Sequence, residues 1–228
     1  MEDSDQRPTG LYRSCDEHDA CGVGFVAHIK GVRSHATVRD ALDLLINLEH
    51  RGAAGSDPDT GDGAGILVQI PDRFLRQAVT FALPPQGAYG AGLVFLPTDE
   101  PLRGVLRGLI ERIVAEEGQA VLGWRTVPTN LWAIGRNAAA VAPAFEQLFI
   151  GRSADLDGTD AGTRFERRLF VIRKRIEHAV DRMTLADEHR RSFYIVSLSS
   201  QTLIYKGMLT ASQLGGMFPD LLNDAFES

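Results

Sequence analysis

The segment Asp19–Ala27 reads D-A-C-G-V-G-F-V-A and sets Cys21 between an alanine and a glycine. A cysteine beside glycines at the head of an extended segment can stay accessible while its backbone is held in place. The attacking species at a carbonyl carbon is the thiolate, so some base must take the thiol proton. None of the six histidines carries a local signature that pairs it with Cys21. The other available base is the α-amino group of Cys21 itself, whose ordinary pKa of about 8 suits proton transfer near neutrality. That amine exists only if the Ala20–Cys21 bond is cut. The alternative for a lone cysteine is a small buried core residue.

A second stretch, Leu48–Leu67, reads L-E-H-R-G-A-A-G-S-D-P-D-T-G-D-G-A-G-I-L. Arg51 falls at the end of a helical pattern, where a guanidinium can reach a carboxylate, brace a loop, or simply face solvent beside the helix dipole. Asp57, Asp59 and Asp62 invite a calcium-loop reading, which fails. Gly61 stands at the fifth loop position, and Val68 stands where the bidentate glutamate belongs. Gly61, Gly63 and Gly65 make neither a phosphate loop nor a dinucleotide fingerprint: no Gly-Lys-Ser/Thr follows, and the next element is a strand. The pattern that remains is a tightly turned backbone near a site. The basic run Arg164–Arg175 is broken by Phe170, Val171 and Ile172, which suits a solvated face better than a nucleic-acid patch. His28, His35, His50 and His178 lack metal-ligand spacing and read as structural or surface residues.

The elements that must position these residues follow from periodicity. Val23, Phe25, Ala27 and Ile29 alternate as in a strand, with Gly22 and Gly24 marking close backbone approach or a special backbone angle. A helix follows, with Thr37 as N-cap and Val38, Ala41, Leu42, Leu45 and Leu48 on one face. Asp40 partly mimics a capping box, and Gly52 suits the position past the end. Strands are expected at Ile66–Ile70, Gly92–Leu96, Val121–Val127 and Leu131–Ile134, and a helix at Pro101–Glu117 with Gly118 behind it. That helix should bury Leu102, Val105, Leu106, Leu109 and Ile113. Phe193–Leu198 and Thr202–Tyr205 read as paired strands joined through Ser199, Ser200 and Gln201. Strands and helices mix without regular alternation, so a layered α+β fold is expected.

Composition sets the outer limits. With 44% hydrophobic and 24% charged residues, the chain of 228 residues has the balance of a globular protein. A net charge of -6 argues against general nucleic-acid binding. No apolar run reaches bilayer length, so no membrane association is expected. Met1–Ala20 is polar and has no secretory apolar core, which suits a leader or loose arm. Cys15 and Cys21 are the only cysteines; reduced thiols and a cytoplasmic location are expected.

Together these segments resemble the N-terminal type-2 amidotransferase domain of glutamate synthase large subunits. The resemblance rests on D-A-C-G-V-G-F-V-A, L-E-H-R-G-A-A-G, Thr60–Pro71, Phe165–Glu177 and Phe193–Leu209, five collinear motifs that run through nearly the whole chain after Cys21. It implies an N-terminal-nucleophile fold, a four-layer αββα sandwich, over residues 21–228, with residues 1–20 as a leader removed between Ala20 and Cys21. A leader longer than an initiator methionine favours glutamate synthase over other type-2 amidotransferases, the alternative family reading. It further implies hydrolysis of L-glutamine to glutamate and ammonia through a γ-glutamyl thioester. Cys21 would be nucleophile and, through its α-amine, base; Arg51 would support the site geometry. The family's substrate-carboxylate arginine, its oxyanion-hole Asn-Gly pair and its amine-binding aspartate would follow Ser228, so an incomplete sandwich is expected, and with it a possible inactive fragment that only binds a partner. No cofactor or metal is expected in this chain. FMN and an iron–sulfur cluster are implied for the full-length enzyme, whose synthase portion, in the same or another chain, would add the ammonia to 2-oxoglutarate.

Overall fold

The computed structural model describes residues 22–52, 57 and 59–228. Among them are six strands, β1 (Ala64–Gln69), β2 (Tyr89–Leu96), β3 (Ala120–Thr126), β4 (Ala144–Gly151), β5 (Tyr194–Ile195) and β6 (Thr202–Gly207). The α-helices are α1 (His35–Asn47), α2 (Asp72–Ala78), α3 (Glu100–Glu116), α4 (Arg136–Ala140), α5 (Ala161–Asp181), α6 (Asp187–Ser192) and α7 (Leu214–Met217). The strands form two antiparallel sheets, one of two strands, β1-β6, and one of four, β3-β4-β2-β5. The mixture of helices with antiparallel sheets is the expected α+β class.

Alternation along β2 and β4 divides the interior into two cores. Tyr89, Ala91 and Leu93 of β2, with Phe145 and Phe149 of β4, face a core shared with Ile66, Val68, Leu203 and Tyr205 of the small sheet. Val38 of α1 is buried in that core, and Ala41, Leu42 and Leu45 pack against it. Val94, Leu96, Leu148 and Ile150 point the other way, onto a second core closed by α3 and α5. Phe165, Leu169, Ile172, Ile176 and Val180 repeat every three or four residues and give α5 a fully buried stripe. Each such side chain contributes roughly 1.5–3 kcal/mol on burial, which is how a helix with so many arginines is held in place. No helix among the described residues is long and apolar enough to cross a membrane.

Several expected elements are placed differently. Residues 22–28 form no ladder with another strand, and Val23, Phe25 and Ile29 are exposed. The segment lies instead along α1, where a methyl group on Gly24 would come within 2.5 Å of Leu44 Cδ2. The N-cap of α1 is Ser34 rather than Thr37: Ser34 is extended, and its Oγ accepts the Thr37 amide at 3.3 Å. The helix also stops at Asn47, and Gly52 caps a separate 3-10 turn, Glu49–Arg51. Leu131–Ile134 is not a strand. Asn130 Oδ1 accepts the Trp132 amide at 3.2 Å and starts the 3-10 turn Leu131–Ala133.

The expected hairpin 193–205 is a crossover between sheets. β5 pairs with β2, whereas β6 pairs with β1. Ser199 bridges back to Ala91, the Ile70 amide donates to the Gln201 carbonyl at 2.8 Å, and Glu166 of α5 accepts from the Ser199 hydroxyl at 3.0 Å. α3 matches expectation more closely, with Asp99 Oδ1 accepting the Leu102 amide at 2.8 Å and Gly118 at φ 72 ending it. Its buried stripe is Leu106, Ile110, Ile113 and Val114, while Val105 faces solvent.

Candidate functional site

Ala20 and Cys21 lie outside the described residues; the chain is described from Gly22 onward. Gly22 sits against the turn that carries Arg51. A methyl group at position 22 would lie 3.1 Å from Arg51 Cβ and 3.2 Å from Leu48 Cβ. The backbone at Gly22 thus approaches the Arg51 turn closely, one of the two readings of this glycine that the sequence allows. This approach seats the backbone next to Cys21 on the stem of Arg51.

Arg51 owes its position to two successive turns. After α1 ends, the Arg51 amide donates to the Leu48 carbonyl at 2.8 Å and the Gly52 amide to the Glu49 carbonyl at 3.0 Å. The side chain is exposed and has no hydrogen-bonded partner among the described residues.

The glycine-rich loop is built as a tight turn rather than a cation site. Asp57 Oδ1 accepts the Asp59 amide at 3.1 Å, and Oδ2 accepts the Thr60 hydroxyl at 2.8 Å. The Thr60 hydroxyl first, and then the Asp59 amide, hold the Asp57 carboxyl below the ordinary aspartate value. Gly61 presses on the chain after β6: a methyl group there would lie 2.2 Å from the Leu209 carbonyl oxygen. Among the described residues no group of three His, Cys, Asp or Glu side chains could hold a metal ion.

Several of the other polar residues singled out in the sequence hold the scaffold together. Arg168 and Arg175 of the basic run both bind Glu117, and Arg173 and Lys174 bind Glu177 within their own helix. His28 Nδ1 accepts the Val32 amide at 3.2 Å, and His35 Nδ1 lies 2.8 Å from the Phe226 carbonyl.

Two sets of residues escaped the sequence reading. One is a buried network across the sheets. Arg125 of β3 donates to both Asp220 oxygens at 2.7 and 2.8 Å and to Gln147 Oε1 at 2.8 Å; Gln147 Nε2 donates to the Tyr205 hydroxyl, which donates to Asp220 at 2.7 Å. Burial works against the charge of Arg125, and the Asp220 carboxylate outweighs it, raising the guanidinium above its ordinary pKa. Burial likewise pushes the Tyr205 phenol well up. The other set is the 3-10 turn Ala211–Gln213, which touches both the Arg51 turn and the glycine loop. Nothing local in the sequence marks the first set, and Thr210–Gln213, T-A-S-Q, carries only a capping-box pattern that marks a turn and not its partners, because the contacts join residues far apart in the chain.

A family model described as "Glutamine amidotransferases class-II" matches residues 21–228. The "Glutamate synthase [NADPH] large chain" of Bacillus subtilis (strain 168) is 47% identical over 220 residues, 96% of this chain and 14% of that protein. "Ferredoxin-dependent glutamate synthase 1, chloroplastic/mitochondrial" of Arabidopsis thaliana is 42% identical over 215 residues, 93% of this chain and 13% of its own length. The "Glutamate synthase [NADPH] large chain" of Azospirillum brasilense is 40% identical over 220 residues, 95% of this chain and 14% of that protein. The chain thus spans about a seventh of the length of these relatives. With a family match that runs from Cys21 through Ser228, the chain belongs to the class-II glutamine amidotransferases.

Proposed function

We propose that residues 21–228 belong to the glutaminase part of a glutamate synthase, with Cys21 as nucleophile and residues 1–20 as a leader removed by cleavage of the Ala20–Cys21 bond. Cleavage frees the α-amine of Cys21 to take the thiol proton. The thiolate adds to the side-chain carbonyl carbon of L-glutamine. Collapse of the adduct breaks the C–N bond, and the nitrogen leaves as ammonia with the proton returned by the ammonium group. Water then hydrolyses the γ-glutamyl thioester to glutamate and restores the thiol. Arg51 supports the geometry of this site. The observation that carries the reading is the seating of Gly22 on the Arg51 stem, which ties the backbone beside Cys21 to the arginine of the L-E-H-R-G-A-A-G motif.

In this reading the ammonia passes to a synthase portion, in the same or another chain, that adds it to 2-oxoglutarate in a cytoplasmic enzyme. FMN and the iron–sulfur cluster belong to that portion. Two cysteines cannot supply the usual four cluster ligands, and one of the two is assigned to glutamine.

N-terminal sequencing of the purified protein together with a glutaminase assay tests the proposal. A mature terminus at Cys21 and loss of ammonia release in Cys21→Ala are expected. Activity that survives Cys21→Ala would remove the assigned nucleophile.

A further inference from the structure

The 3-10 turn Ala211–Gln213 sits between the two motif loops and is bonded to both. Ser212 Oγ donates to Glu49 Oε1 at 3.2 Å, one residue into the turn that ends at Arg51. Gln213 Nε2 donates to the Asp59 carbonyl at 2.8 Å, in the loop that follows Arg51. That carbonyl also accepts the Gly135 amide at 3.0 Å, so both of its lone pairs are used. The other end of the Gln213 amide closes a capping box, its Oε1 accepting the Thr210 amide at 3.0 Å. Gly61 completes the contact by lying directly on the Leu209–Thr210 backbone.

A capping glutamine needs only its oxygen to stabilise its own turn. Here the nitrogen reaches a carbonyl 154 residues away in sequence. We infer that Ser212 and Gln213 are positioning residues that bracket the Arg51 turn and the Asp59–Gly61 loop in one geometry. The inference rests on the amidotransferase reading of Cys21 and Arg51. Neither residue touches substrate in it. They act by fixing the backbone that carries Arg51, beside which the residue after Cys21 is seated.

Gln213→Glu separates the two ends of the side chain. A carboxylate still accepts the Thr210 amide, but it cannot donate to the Asp59 carbonyl and sets a negative charge against that oxygen. Hydrogen exchange of the full chain, followed over residues 48–52 and 59–63, reads the bracket without substrate. Glutamine turnover reads its consequence. In Gln213→Glu, exchange at 59–63 should rise about tenfold and kcat fall about tenfold, with KM and the thermal midpoint little changed. Ser212→Ala should loosen 48–52 in the same way, and Glu49→Gln, which keeps an acceptor for the Ser212 hydroxyl, should not. Unchanged exchange at 59–63 in Gln213→Glu overturns the bracket. So does local loosening with kcat unaltered, which would leave a purely structural contact. Turnover surviving Cys21→Ala sinks the amidotransferase reading instead and is distinguishable, because exchange needs no catalysis.

Discussion

Gly22 and Arg51 meet at the base of the candidate site: a methyl group at position 22 would lie 3.1 Å from Arg51 Cβ. That separation is tight for an unshifted alanine, and the opposing atoms belong to side-chain stems on and beside a turn held by two backbone hydrogen bonds. Gly22→Ala therefore requires the backbone beside Cys21, or the Arg51 and Leu48 stems, to give by a few tenths of an ångström. A misplacement of about 1 Å can cost about a hundredfold in rate when reacting groups are involved, and a smaller shift correspondingly less. The expected result is a fall of up to about tenfold in kcat/KM for glutamine, with a stability loss of no more than about 1 kcal/mol at this half-buried position. Steady-state kinetics beside thermal melts of the two proteins provide the check.

Gly61 stands in a harder environment, because its neighbour is backbone. A methyl group 2.2 Å from the Leu209 carbonyl oxygen can be relieved only by separating the glycine loop from the chain after β6. Gly61→Ala should cost about 1–3 kcal/mol as an overpacked contact. It should also weaken the bond between Gln213 and Asp59, since both lie at the same interface. Urea unfolding gives the first quantity. Protease sensitivity near residues 59–63 reads the second, and a variant as stable and as resistant as the wild type would show that the loop is not held there.

What was legible in the sequence was local. The apolar stripe of α1, part of that of α3, the strand that stops before Pro71, and the glycines at 22 and 24 each leave a mark within a few residues. The strand expected at 23–29 failed because alternation reports an apolar face and not the partner that must cover it; Phe25 and Ile29 stand in solvent. β4 went unread because Glu146 and Gln147 interrupt its apolar run. Both are buried, one held by Arg107 and the other in the Arg125 network. The Ser199–Gln201 turn looked like a hairpin because its residue types suit one, whereas Glu166, supplied from a distant helix, bends the chain into a crossover. The site divides in the same way. Cys21 and Arg51 entered through motif resemblance, while Ser212 and Gln213 became visible only once distant segments were brought together.

Glu117 gives a pH dependence whose sign is fixed. It ends α3, and the Arg175 guanidinium first, with Arg168 beside it, holds its carboxyl below the ordinary glutamate value of 4.5. A carboxyl depressed in the folded state adds stability that is fully present above its unfolded pKa and is lost as pH falls through the folded one. The two arginines are partly exposed, at 36% and 41%, so the contribution stays at or below about 1 kcal/mol and is screened by salt. The stability difference between wild type and the Arg168→Gln/Arg175→Gln variant should be flat from neutrality down to about pH 5 and shrink below it. Thermal melts across that range, at low and high salt, measure it. A difference that grows on acidification would contradict the pairing.

Asp220 tests how firmly the segment after β6 is tied to the sheets. Its side chain is 5% exposed and that of Arg125 10%, and both Asp220 oxygens are used by Arg125, with a further bond from Tyr205. Asp220→Ala leaves a guanidinium buried without its counter-charge, a change that costs about 3–5 kcal/mol when one partner of such a pair is removed. Tyr205→Phe removes only the hydroxyl between Gln147 and Asp220 and should cost about 1–3 kcal/mol through the unsatisfied groups it leaves. The double variant Arg125→Met/Asp220→Leu removes both charges together and should be markedly more stable than Asp220→Ala, since no buried charge is left unpaired. Urea unfolding of the three proteins gives the order. If Asp220→Ala proved as stable as the double variant, the network would be incidental to the fold. If it proves the least stable, the carboxylate of Asp220 is what anchors Phe218–Phe226 across the core and, through β6, the turn that holds Asp59.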